Sequence, residues 1–210
     1  MTDNHVSDHT DDPAAQHAWE RSVTARDAPA ARPGVTFTTE EDVVIVVHPG
    51  FDTLDAIGPH YFLASMLGAT VHVATTGATR TAAISAGGLA VMPTTALDDA
   101  PPAPTVLLVP GGDTGVLLAD AAAMSAIRRS GHGCERVHRS GRAWRTGTAR
   151  RRRATSHWSV RHLLSGYGAT PVDERVVEDG NVMTAAGATS GMDLALRLVG
   201  RLRDDDARFL

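Results

Sequence analysis

Three short apolar runs set the architecture of this chain: "DVVIVVHPG" from Asp42, "TVHVATTG" from Thr70 and "TVLLVPGG" from Thr105. Each is rich in β-branched residues and ends in turn-forming residues. The first and third are continuous, the pattern of strands covered on both faces rather than one. Strands of that kind need helical crossovers. The segments after the first and third runs, "TLDAIGPHYFLASMLGA" and "GVLLADAAAMSAIRR", carry apolar residues at helical spacing. Pro59, in the first of them, is expected close to a helix start. "AISAGGLAVMPTTALDDA" reads as a hairpin or crossover segment. Downstream of Arg153 come "RATSHWSVRHLLSGYGA", then "VDERVVEDGNVMTAAG" with a hairpin-like turn at "EDGN", and a closing helix "GMDLALRLVGRL". Strands alternating with helices predict an α/β fold built on a doubly wound parallel sheet.

With 210 residues and 42% apolar content the chain can bury one proper core. Met1 to Glu41 has neither period and too little apolar surface to offset its chain entropy, so it is read as a disordered tail ahead of a domain spanning 42–210. His5 and His9 are spaced like a helical metal pair. No helix pattern surrounds them, and they read as solvated tail residues. All twenty basic residues are arginine, and ten of them lie between Arg128 and Arg153 beside a single acid, Glu135. The net charge of −4 therefore averages two unlike regions, and no general basic face for nucleic acid or anionic lipid is expected. The single cysteine, Cys134, excludes an internal disulfide framework and cysteine-rich metal sites. Neither a membrane-length apolar run nor an apolar signal core is seen, and a cytoplasmic location is expected.

Four segments in order, "LDAIGP", "LLVPGG", "RATSHW" and "GATPVDERVVEDGNVMTAAGATSGMDLAL", resemble the ThiJ/PfpI superfamily and its isocyanide hydratase-like branch. The resemblance implies a flavodoxin-like three-layer α/β/α sandwich, usually a homodimer. It also implies a small-molecule substrate, with no metal or organic cofactor and no nucleic-acid or membrane partner. Its nucleophile is a cysteine on a strained strand-to-helix elbow, written Ser-Val-Cys-Thr-Gly in this branch. A thiolate at a helix N-terminus gains from the helix dipole, a neighbouring acid can trade protons, and glycine turns can donate to developing negative charge. The resemblance places Asp55 as that acid and Gly58, Gly111, Gly112 and His157 around the pocket. Taken alone, Asp55 reads as an acid favoured at a helix N-terminus, Gly111 and Gly112 as strand terminators, and His157 and Trp158 as half-buried packing residues. A non-catalytic small-molecule-sensing domain, related to the sensor halves of transcription regulators, is the alternative reading.

Where the elbow belongs, the chain reads "GHGCERVHRSGRAWRTGTARRRR", Gly131 to Arg153. It has no buried-strand run and arginines on every face, so it is expected to lie outside the sheet. Cys134 is a doubtful displaced nucleophile there. The residues Cys134 to Arg139 can be encoded TGC GAG CGT GTG CAC CGG; read one nucleotide later, the same string gives Ala-Ser-Val-Cys-Thr and the start of a glycine codon. From Ser140 on, the shift permits many leucine, glycine, alanine and valine codons. The segment is therefore read as a translated wrong frame and the C-terminus as truncated, which leaves a hydratase-like protein inactive or impaired.

Overall fold

The computed structural model describes residues 40–66, 68–76, 81–133, 136–139 and 151–203. The tail up to residue 39, its histidines and the residues after 203 fall outside them; the last residue assigned to the tail, Glu41, is instead the first of a strand, buried and paired with Arg203. In chain order, β1 (Glu41–Val47) leads to α1 (Thr53–Ala64) and β2 (Ala69–Thr75). A small hairpin of β3 (Ala83–Ile84) and β4 (Ala90–Val91) precedes β5 (Thr95–Ala96) and β6 (Val106–Val109). Then follow α2 (Thr114–Ala119), α3 (Ala121–Gly133) and β7 (Arg136–Arg139). The remaining elements are β8 (Arg153–Ala154), a 3-10 turn at Arg161–Tyr167, β9 (Thr170–Pro171), β10 (Val176–Asp179), β11 (Val182–Ala185) and α4 (Ser190–Arg203).

The two-sided burial expected of the first apolar run is what organises the layers. Successive residues of β1 point into different cores. Val43, Ile45 and Val47 join Leu63, Val106, Leu108, Leu194 and Leu198 on the face covered by α1 and α4. Val44 and Val46 join Leu107, Val109, Leu117 and Ile127 on the face covered by α2 and α3. Each such side chain contributes about 1.5–3 kcal/mol on burial. The sheet runs in the order β10-β11-β7-β6-β1-β2-β5 and is parallel except for β10, an antiparallel edge strand that returns through the "EDGN" turn onto β11. This is the doubly wound sheet that the pattern predicted, in the flavodoxin-like sandwich that the resemblance implied.

Two expectations are corrected. Gly131 to Arg153 does not lie wholly outside the sheet: Gly131–Gly133 close α3, and Arg136–Arg139 form a central strand, with Leu107 opposite Val137 on one side and Val182 opposite it on the other. The ladder is made by backbone N–H and C=O groups, and omitting β7 would leave an unpaired edge on both β6 and β11 in the middle of the sheet. That demand on the backbone outweighs the absence of an apolar run. Pro59, expected near a helix start, is the seventh residue of α1. It has no N–H to give the carbonyl four residues back, a defect that costs about 3 kcal/mol in an exposed helix. Here its buried ring packs at the crossing of α1 and α4, 3.8 Å from where a side chain on Gly191 would begin.

Three described arginines of the basic stretch face acids. Arg129 meets Asp98 at 3.1 Å, Arg152 meets Asp179 at 3.6 Å and Arg153 meets Glu174 at 3.0 Å. Among the described residues no helix is long and apolar enough to cross a membrane.

Candidate functional site

β1 and β6 lie side by side and both end in a Pro-Gly turn, so the two turns meet beyond the ends of the strands. They interlock through the backbone: the Asp52 N–H donates to the Gly111 carbonyl at 2.8 Å, and the Asp113 N–H donates to the Gly50 carbonyl at 2.8 Å. Only glycine fits at 112. Its φ is +104°, and a Cβ there would stand 2.3 Å from the Gly50 oxygen. The fully buried imidazole of His48 lies against both turns, with Nδ1 3.0 Å from the Pro49 carbonyl and Nε2 3.5 Å from that of Pro110.

The first turn also starts α1. Asp52 is its N-cap, its Oδ1 accepting from the N–H groups of Leu54 (3.0 Å) and Asp55 (3.3 Å), which satisfies donors that a helix start otherwise leaves unpaired. Asp55, one turn in, is buried at 7% exposure and accepts a 3.0 Å hydrogen bond on Oδ2 from the Gly111 N–H. The carboxylate of one crossover and the glycine turn of the neighbouring strand thus hold each other in place.

They form one side of a cavity of about 390 Å³. The other side comes from Ser156, His157 and Ser159 after β8, and from Gly187 and Ala188 between β11 and α4. Gly187 has φ +103°, and a Cβ on it would stand 3.4 Å from the His157 ring. The His157 Nδ1 lies 2.8 Å from the Ser159 hydroxyl. This is the crevice at the carboxyl ends of parallel strands where open α/β sheets bind ligands.

Of the residues singled out in the sequence, Asp55, Gly111, Gly112 and His157 line this one cavity. Gly58 does not. It lies one turn further along α1, where a Cβ would come 3.0 Å from the Met192 side chain of α4, so its role is close helix packing. His157 and Trp158, expected to be half-buried, are both exposed, Trp158 at 76%. They sit on the turn that leads into the 3-10 segment, at the rim rather than in the core. Cys134 lies outside the described residues. Its described neighbours, Gly133 and Arg136, stand where the strands begin, since Arg136 pairs with Val106, the first residue of β6. The cavity stands where the strands end. Sequence reasoning missed Asp52, Ser156, Ser159 and the Gly187–Ala188 turn. For Asp52 the signal was there: an aspartate directly before an apolar-periodic segment is a helix N-cap.

The family model for the DJ-1/PfpI family matches residues 41–201. Isonitrile hydratase of Pseudomonas putida is 35% identical over 162 residues, 75% of this chain and 70% of that one. The crystal structure of a ThiJ/PfpI family protein from Pseudomonas syringae superposes with a TM-score of 0.77 at 32% identity, covering 84% of this chain and 75% of that one. Drosophila melanogaster DJ-1beta shares the fold at a TM-score of 0.71 and 20% identity, over 81% of this chain and 95% of that one. On its fold, and on a family match that runs almost the whole length of the described residues, this chain belongs to the DJ-1/PfpI family.

Proposed function

We propose that the cavity at Asp55 is an isocyanide hydratase site whose nucleophile is absent from the chain as written. The observation that carries this reading is the pairing of a buried Asp55 with the Gly111 turn at the end of β6, in a chain 35% identical to an isonitrile hydratase. In the reaction, a thiolate adds to the terminal carbon of R–N≡C and that carbon takes a proton, giving a thioimidate. Water adds to the C=N bond, the nitrogen takes a proton, and the C–S bond breaks to release R–NH–CHO and the thiol. Asp55 delivers and recovers the protons, and the Gly111 N–H, donated to its Oδ2, holds the carboxylate in position.

The thiol would have to arrive at the carboxyl end of β7. Cys134 precedes that strand, whereas the cysteine codon of the adjacent frame overlaps the codons for Val137 and His138, the second and third of the four ladder positions, beside Leu107 and Leu108. This favours the shifted frame as the source of the nucleophile, and impairment of the chain as written. A homodimer in a reducing cytoplasm goes with the same reading.

The test is a reframed protein in which residues 134–152 are replaced by the translation one nucleotide later. It is expected to hydrate a simple alkyl isocyanide, and Asp55→Asn in it is expected to cut the rate by about 10²–10⁴-fold, the usual worth of a general acid–base group. A reframed, folded protein without activity, or one indifferent to Asp55→Asn, contradicts the assignment.

A further inference from the structure

We infer that this cavity selects ligands carrying a positive charge, so that the substrate class is an isocyanide, and the product a formamide, bearing an ammonium group; this rests on the hydratase reading above. Two carboxylates, Asp52 and Asp55, line the cavity, and among its described lining residues there is no arginine to balance them. They differ in what they are free to do. Asp55 is buried and tied to Gly111. Asp52 is half-buried and spends only one oxygen on the helix cap: both the Leu54 and Asp55 N–H groups go to Oδ1, and Oδ2 has no hydrogen-bond donor among the described residues. Asp55 is therefore assigned to the reacting end of a substrate and Asp52 to its substituent. The protein walls lower the effective dielectric, so an ammonium near Asp52 is attracted more strongly than in water, and a carboxylate is repelled by the same field. The remaining polar side chains of the cavity are the hydroxyls of Thr114, Ser156 and Ser159, which suit an ammonium as well as an amide, and the His157 imidazole, whose Nδ1 lies 2.8 Å from the Ser159 hydroxyl.

Binding needs no thiol, so the chain as written serves for the experiment. Calorimetric titrations at low salt compare three product-like formamides of similar size: cationic N-(2-aminoethyl)formamide, neutral N-ethylformamide and anionic N-formylglycine. The expected order is cationic over neutral over anionic, with at least about a tenfold gap between the extremes that shrinks in high salt. Asp52→Asn is expected to remove most of the gap without unfolding the protein, because asparagine caps a helix as well as aspartate. Asp113→Asn, a change at the N-cap of α2 outside the cavity, should leave it intact. Equal binding of the three, an anionic preference, no binding of any, or a cationic preference that survives Asp52→Asn each overturns the inference. Ethylammonium, which lacks the formamide, separates the two readings. If it binds as tightly as the cationic formamide and loses that affinity in Asp52→Asn, the charge selection stands and the hydratase reading falls.

Discussion

Gly112 and Asp55 carry the site at the scale of single residues. Adding a methyl group at 112 would drive a Cβ to 2.3 Å from one backbone oxygen and 2.5 Å from the Asp52 nitrogen, in a conformation that L-residues avoid. Gly112→Ala is expected to destabilise the fold by about 3 kcal/mol or more in urea titrations, as steric overlap adds to the left-handed penalty. Gly88, with φ +83° and nothing within 4 Å of the added carbon, isolates that penalty, and Gly88→Ala should cost only about 1–2 kcal/mol. Equal costs at the two positions would mean that the interlocked turns yield to the methyl group. Asp55, Gly111 and Gly112 were assigned to the pocket through the resemblance; read alone, they are an acid in the first turn of a helix and the terminators of a strand, which they also are. Gly58 was misassigned because a glycine on a helix looks the same from sequence whether it faces a ligand or another helix. The exposure of His157 and Trp158 depends on a turn that no periodicity encodes. A genomic prediction also belongs at this scale: the codons for Cys134 to Arg139 should read Ala-Ser-Val-Cys-Thr one nucleotide later. Codons for Glu135 to His138 that cannot do so remove the shifted frame from consideration.

At the scale of elements, β1 and β6 were readable because both faces of each are covered, leaving nearly every residue apolar. β7 was not, because "RVHR" has no such run and its place is fixed by the backbone needs of β6 and β11 on either side. Hydrogen exchange tests this: the amides of residues 136–139 should be protected to the same order as those of β6, and exchange at loop rates there would show that β7 is not a ladder strand. The end of α4 is tied to the start of β1 by Arg203, which donates to the buried carboxylate of Glu41 from Nη1 and Nη2. That hydrogen bond, with the attraction of the negative charge, holds the Arg203 guanidinium above its ordinary pKa against the opposing effect of burial. A raised pKa contributes stability that is fully present below the unfolded value and lost only as pH rises through the folded one, so the arginine's contribution is constant across neutral pH. Arg203→Met leaves Glu41 buried without this partner and is expected to cost about 3 kcal/mol at neutral pH, with a cost still present at pH 6 and at pH 9. A cost that vanishes at either pH would contradict this.

At the scale of the whole molecule, the family match runs from residue 41 to 201 and includes the stretch from Gly131 to Arg153. The two cores and the interlocked turns come from segments on either side of Gly131 to Arg153, and of the seven-stranded sheet only the central strand β7 comes from within it, so the family could be read from the four flanking motifs. On the proposed reading, the stretch from Gly131 to Arg153 matters more for catalysis than for the fold. A ladder accepts almost any side chain on its strand, but nucleophilic catalysis needs one sulfur atom at one position, and a displacement of about 1 Å can cost two orders of magnitude in rate. The most direct measurement is therefore the steady-state hydration of a simple alkyl isocyanide by the chain as written, beside the reframed protein and Cys134→Ser. The expected result is a rate at least about 10⁴-fold below that of the reframed protein, as for loss of a catalytic nucleophile, and unchanged by Cys134→Ser. A rate close to that of the reframed protein that disappears on Cys134→Ser would contradict it, and would make Cys134 the working nucleophile of the chain as written.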